Sequence, residues 1–308
     1  MTEIQKRFSK HRFGVFTHFL YGNPGSTPVT GIDPYDWNAR CNAFDTERLA
    51  HELHEVGADY YFITLMQGRK YMIAPNAAFD RIGGTKPGEA CSSRDLVLDL
   101  YKSLSKYGID LCLYFTGDGP YKDVEQGKRF GFIEPRKDIS MSFCQKWAEV
   151  LEEYAVRYGD KVKAWWIDGC YTYFGYTEEM LTCYYNAVKK GNPNALVTMN
   201  NGVKEDYYRY YPKEDFTSGE FNDFTAIPKS PDIDGSLPHI LAPLGCPENP
   251  NNPWGGWCRP GVKRDAAYMR DFVAKVNAAG GIVTIDIKIN YDSTLLPEQL
   301  AVLKQIKQ

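Results

Sequence analysis

What this 308-residue sequence lacks closes several routes to function. Its eight cysteines, at 41, 91, 112, 144, 170, 183, 246 and 258, form no Cys-x-x-Cys pair and no zinc-type cluster. Cys112 falls in a strand pattern and Cys144 and Cys183 in helical ones, where they read as small apolar residues. The five histidines are dispersed, with His51 and His54 on a helix face expected to be solvated. No metal and no other cofactor is therefore expected. There is no run of about 18 apolar residues, hence no expected membrane span. There is no Asn-x-Ser/Thr sequon, and Met1 to Arg7 carries no apolar secretory core, so a cytoplasmic location is expected. Basic charge is not in excess: 36 Lys and Arg face 39 Asp and Glu, a net −3 that gives nucleic acid no field to bind. Gly117-Asp118-Gly119-Pro120 has no helix pattern behind it and so lacks a phosphate cradle. The Ser and Thr near strand ends lack a nucleophile-elbow pattern.

What the sequence has is strand–helix alternation. Short apolar runs centre near residues 13, 61, 111, 164, 197, 217, 242 and 284, and amphipathic helix patterns separate most of them. Continuous apolar runs suit strands covered on both faces. Eight such units with no composition break predict one (β/α)8 TIM-type barrel over residues 1–308, with no second domain. The units after the fifth and sixth strands are irregular, residues 120–139 read as loop, and an open doubly wound sheet is the alternative.

In such barrels functional groups lie at the carboxyl ends of the strands. Here those ends carry His18, Gln67 with Arg69, Asp118, Asp168, Asn200 with Asn201, Glu220, and a loop with Trp254 and Trp257. Acids, amides and exposed indoles suit a carbohydrate. Asp168 ends the run Lys163-Ala-Trp-Trp-Ile-Asp-Gly169, where a carboxylate in apolar company needs a partner or a function. Equally, a strand-end Asp can cap the following loop. Glycoside hydrolysis generally uses two carboxyl groups, about 5–5.5 Å apart when configuration is retained and about 6.5–9.5 Å apart when it is inverted. Asp168 and Glu220, two strands apart, form the candidate pair. Asp286, inside the last strand, reads as a buried structural residue.

These residues also carry a resemblance. Phe13-Gly-Val-Phe-Thr-His18, Ala58-Asp-Tyr-Tyr61, Ser93-Arg-Asp-Leu-Val97, Trp166-Ile-Asp-Gly169, Trp254-Gly-Gly256 and Ala279-Gly-Gly-Ile282 occur in the order seen in the α-L-fucosidases of glycoside hydrolase family 29, which the chain resembles over most of its length. The resemblance implies a retaining exo-glycosidase, with Asp168 as nucleophile and His18 as a hydroxyl ligand. The Thr217-Ser-Gly-Glu220 segment resembles one subgroup's acid/base region, which selects Glu220, with Glu248 as runner-up. Where the family carries Lys-His-His-Asp-Gly after its second strand, this chain has Met66-Gln-Gly-Arg-Lys70. That departure opens the sugar's identity and leaves a glycosidase for another terminal sugar, a non-catalytic glycan-binding barrel, and a lyase or isomerase as alternatives. The family's C-terminal β-sandwich has no counterpart in these residues.

Overall fold

The computed structural model describes residues 1–22, 33, 35–249, 251 and 255–307. Seven parallel strands form one sheet: β1 Phe13–Thr17, β2 Tyr60–Thr64, β3 Asp110–Thr116, β4 Val162–Asp168, β5 Leu196–Met199, β6 His239–Pro243 and β7 Ile282–Ile287. Their order is β5-β4-β3-β2-β1-β7-β6. That is the chain's own order written around a ring and cut between β5 and β6, so the architecture is TIM-like rather than doubly wound.

Alternation within each strand decides which side chains meet. Val15, Tyr61, Leu113, Trp165, Ile167 and Ile285 join the large core between sheet and helices. Phe16, Phe62, Tyr114, Trp166 and Leu241 fill the interior. His18 lies two residues beyond Phe16 and Asp168 two beyond Trp166, so both inherit the inward face. The helix Met141–Tyr158 shows the outer layer's logic: Ser140 caps its first turn, and Phe143, Trp147, Val150, Leu151 and Tyr154 bury one stripe. Each fully buried large apolar side chain of this kind contributes about 1.5–3 kcal/mol.

The expected eighth strand, near residue 217, is not regular. Its ends pair in parallel, Phe216 with Leu237 and Glu220 with Leu241, in one register. Asp215 reaches the opposite edge, donating its N–H to the Val197 carbonyl at 2.8 Å. Between these points side chains replace the ladder. Thr217 Oγ1 accepts the His239 N–H at 2.9 Å and donates to the His239 carbonyl at 3.0 Å. The Ser218 carbonyl accepts from Trp166 Nε1 at 2.8 Å, and the His239 imidazole lies 3.1 Å from it through Nδ1. A broken strand thus bonds to both edges of the seven-stranded sheet.

The irregular units expected after the fifth and sixth strand patterns, near residues 197 and 217, are found: no helix occurs between Met199 and His239. Elsewhere the sequence reading needs correction. Residues 120–139 include the helix Val124–Phe130, and the long connection after β2 includes the helix Ala77–Gly83, capped by Asn76 Oδ1 on the Phe79 N–H at 2.7 Å. Both are two turns long, too short to show an apolar period. All eight cysteines are free, and Cys183 is only half-buried.

Candidate active site

A cavity of roughly 390 Å3 opens at the carboxyl ends of the strands. His18, Gln67, Asp118, Asp168, Glu220 and Trp257 all line it, drawn together from positions as far apart as 18 and 257. Phe16, Tyr114, Trp166 and Leu241 form its apolar floor. Asn200 sits beneath the acids, fully buried.

Asp168 is held from three sides. Tyr114 Oη donates to Oδ2 at 2.5 Å, and Asn200 Nδ2 and Tyr171 Oη donate to Oδ1 at 2.8 and 3.3 Å. Gln67 Nε2 in turn donates to Tyr114 Oη at 2.8 Å. The Asp168 charge and burial raise the Tyr171 hydroxyl's pKa, and burial followed by Asp168 does the same for Tyr114. Both phenols therefore keep the protons they donate.

The same Asn200 amide nitrogen donates to Glu220 Oε2 at 2.6 Å. Two bonds from one nitrogen, 2.8 and 2.6 Å long, limit the separation of the two carboxyl oxygens to their sum, 5.4 Å. Glu220 opens to the cavity on one side but is otherwise enclosed by protein. Burial, and then the neighbouring Asp168 charge, push its pKa up to about 8, against the opposing pull of Asn200 and Lys204. Two carboxyl groups in one cavity thus stand in unlike surroundings. One accepts three hydrogen bonds, and the other favours its protonated form at neutral pH.

Asp118 is a third acid in the wall. Burial raises it to about 7, although Thr116 and Arg136 pull the other way. The Arg136 Nε lies 3.0 Å from its Oδ2. His18 is oriented through Nδ1, which lies 2.8 Å from Asp286 Oδ1. Asp286 is fully buried, and its other oxygen accepts the Cys258 N–H at 2.9 Å. His18, Asp286 and Cys258 bring three potential ligand atoms within 4.8 Å of one another. Both Asp286 oxygens are already engaged, however, and burial raises the Cys258 thiol well above its ordinary range, which favours the protonated form that does not ligate.

Arg69 lies away from the cavity. A tight turn at Gly68, with φ of +70°, redirects the chain, and the Arg69 guanidinium meets Asp123 at 2.9 Å. Asn201 faces the neighbouring loop, where its Oδ1 accepts the Thr172 N–H at 2.9 Å. Glu248 is exposed and pairs with Arg259. Trp254 lies outside the described residues. The cavity also holds residues that sequence reasoning passed over: Tyr114, Tyr121, Arg136, Tyr171, Cys258 and Arg259. Tyr114 alone had a usable signal, since it lies four residues into β3 on the inward parity. The others come from loops whose path no periodicity reports.

No protein-family model and no curated protein matches the chain. Solved structures do. An α-L-fucosidase of glycoside hydrolase family 29 from Bacteroides thetaiotaomicron, captured as a covalent intermediate with 2-fluoro-fucosyl fluoride, matches with a TM-score of 0.67 at 16% identity over 99% of this chain and 74% of its own. The endo-fucoidan hydrolase MfFcnA9 of family 107 matches with a TM-score of 0.71 at 14% identity over 99% of this chain and 64% of its own. A second family 107 endo-fucoidan hydrolase, P5AFcnA, gives 0.67 at 14% identity over 99% of this chain and 93% of its own. At these identities the shared property is the fold.

Proposed function

We propose that this protein is a retaining glycoside hydrolase acting on a terminal, fucose-type sugar, with Asp168 as nucleophile and Glu220 as acid/base. The observation that carries the reading is the shared Asn200 amide. It brings one oxygen of each carboxyl group within 5.4 Å of the other across one cavity, which supports the short-separation, retaining arrangement of about 5–5.5 Å over the wider inverting one. Protonated Glu220 gives its proton to the glycosidic oxygen as Asp168 attacks the anomeric carbon and the C–O bond breaks. The resulting Glu220 carboxylate then takes a proton from water, whose oxygen displaces Asp168 and restores the starting state. His18, fixed through Asp286, and Gln67 offer hydrogen bonds to sugar hydroxyls, and Trp257 offers an apolar face. The related folds of a family 29 fucosidase and two fucoidan hydrolases support the sugar class. Gln67 in place of a histidine pair leaves the hydroxyl pattern to be read by assay.

The test is a panel of aryl α- and β-glycosides followed by proton NMR of the first-formed anomer. Retention is expected, and Asp168→Asn is expected to lower kcat at least about 10³-fold. Wild-type turnover by Asp168→Asn, or an inverted first product, would overturn the assignment. Sugar binding without any turnover by the unaltered protein would favour a glycan-binding barrel instead.

A further inference from the structure

Beside the cavity stands an aromatic surface that the proposed chemistry does not use. Tyr173 is 72% exposed, which is unusual for a ring so well supported. It stacks on Tyr171 with ring centroids 5.2 Å apart and planes 26° from parallel, and Phe174 meets it edge-on at 4.5 Å. Tyr171 lines the cavity and donates to Asp168, so the stack runs from the reacting carboxylate outward. Partial burial raises the Tyr173 hydroxyl's pKa, Arg136 lowers it, and Asp168, Asp118 and Glu220 raise it further.

The platform is rigid. It is a short 3-10 turn, Thr172–Phe174, closed by Gly175 at φ of +90°. Asn201 holds the Thr172 N–H at 2.9 Å, and the Phe174 carbonyl accepts the Ile139 N–H at 2.9 Å. Arg136 completes the lip. Its guanidinium carbon lies 4.3 Å from the Tyr121 ring centre, 4.9 Å from Phe174 and 5.8 Å from Tyr171. Its Nε faces Asp118, and among the described residues its terminal nitrogens make no hydrogen bond. A flat apolar face beside free guanidinium donors matches one face and the edge hydroxyls of a pyranose ring. The cavity, roughly 390 Å3, is lined by Tyr171 and Arg136 but not by Tyr173, so a ring lying on Tyr173 stands outside it.

We infer that Tyr171, Tyr173 and Arg136 form a leaving-group subsite, so that the substrate class is an oligosaccharide whose penultimate sugar lies on Tyr173. This rests on the glycosidase reading and extends it from the sugar cleaved to the sugar released. A pre-ordered platform costs little entropy on binding, and contacts to a remote sugar can be realised in the transition state.

The experiment compares two substrates on the full chain: α-L-fucosyl fluoride, whose leaving atom cannot reach Tyr173, and an α-L-fucosyl-terminated trisaccharide. In Tyr173→Ala the ratio of kcat/KM for trisaccharide over fluoride is expected to fall roughly tenfold, and Tyr173→Phe is expected to restore most of it. An unchanged ratio overturns the subsite, whether the variant keeps or loses activity. Should the unaltered protein hydrolyse neither substrate, the fucose-type glycosidase reading has failed. The platform is then judged by trisaccharide binding in calorimetry. Roughly tenfold weaker binding by Tyr173→Ala supports it, whereas equal binding, or no binding by the unaltered protein, overturns it.

Discussion

Asn200 gives one buried nitrogen to two acids, and that economy makes the pair sensitive to single atoms. With Glu220 raised to about 8, its acid form dominates at neutral pH and is lost as pH rises through that value. Activity governed by the protonated acid should therefore decline on the alkaline side. In Glu220→Gln that alkaline limb should vanish from the kcat/KM profile of an activated aryl glycoside, and added azide should restore turnover as a glycosyl azide of retained configuration. A limb that persists in the variant would assign the titration elsewhere. Tyr114 tests the other acid. Its hydroxyl donates to Asp168 Oδ2 at 2.5 Å, and under the proposed mechanism that bond helps the carboxylate leave in the second step. Tyr114→Phe removes a hydrogen bond to a charged group, worth about 1.5–3 kcal/mol, so kcat should drop roughly 10- to 100-fold. The covalent intermediate should accumulate in intact-mass spectra. Absence of both effects would confine Tyr114 to packing.

At the scale of one element, the broken strand from Asp215 to Phe221 delivers Glu220 and depends on Gly219. That residue sits at φ of +59°, and a Cβ there would stand 1.8 Å from the His239 carbonyl oxygen. Gly219→Ala meets both backbone strain and a clash with main chain. It should cost at least about 2 kcal/mol in denaturant unfolding and should also displace Glu220. Native stability in that variant would mean the segment can shift freely, which its hydrogen bonds to Trp166 and His239 argue against. His239 fits the same account. Burial lowers its pKa to about 4, so it stays neutral and its ring bonds to the carbonyls of Thr217 and Ser218 and to Thr284.

Across the whole molecule, burying acids ties stability to pH. Glu214 is buried outside the cavity, with its pKa raised to about 8 by burial, although its Oε1 accepts the Tyr210 N–H at 2.8 Å. Its unfolded value is near 4.5. Between these values the unfolded chain has released a proton that the folded chain still holds. Stability should therefore fall as pH rises from about 4.5 to about 8, and level off once both states are ionised. Asp118, raised to about 7, adds to the same slope. Glu214→Gln cannot titrate and should flatten the dependence of Tm on pH across that window. An equally steep slope in the variant would show that Glu214 shifts too little to matter.

The sequence alone determined the parallel strand–helix order, because apolar runs of strand length and capped amphipathic helices are local patterns. It also placed His18, Asp118, Asp168 and Glu220 at strand ends, because inward parity and strand exit can be counted along the chain. Tertiary structure decided what local order does not carry. It showed the sixth unit as a broken strand, since its side-chain bonds to Trp166 and His239 come from distant segments. It turned Arg69 outward onto Asp123 and brought Arg136, Tyr171 and Tyr173 to the lip, because loop paths follow turns and long-range pairs rather than periodicity. Asp286, read from sequence as merely buried, orients His18 from 268 residues away. And one asparagine joined two acids that are 52 positions apart, from Asp168 to Glu220, because only closure of the sheet brings the ends of β4 and the sixth segment around the end of β5.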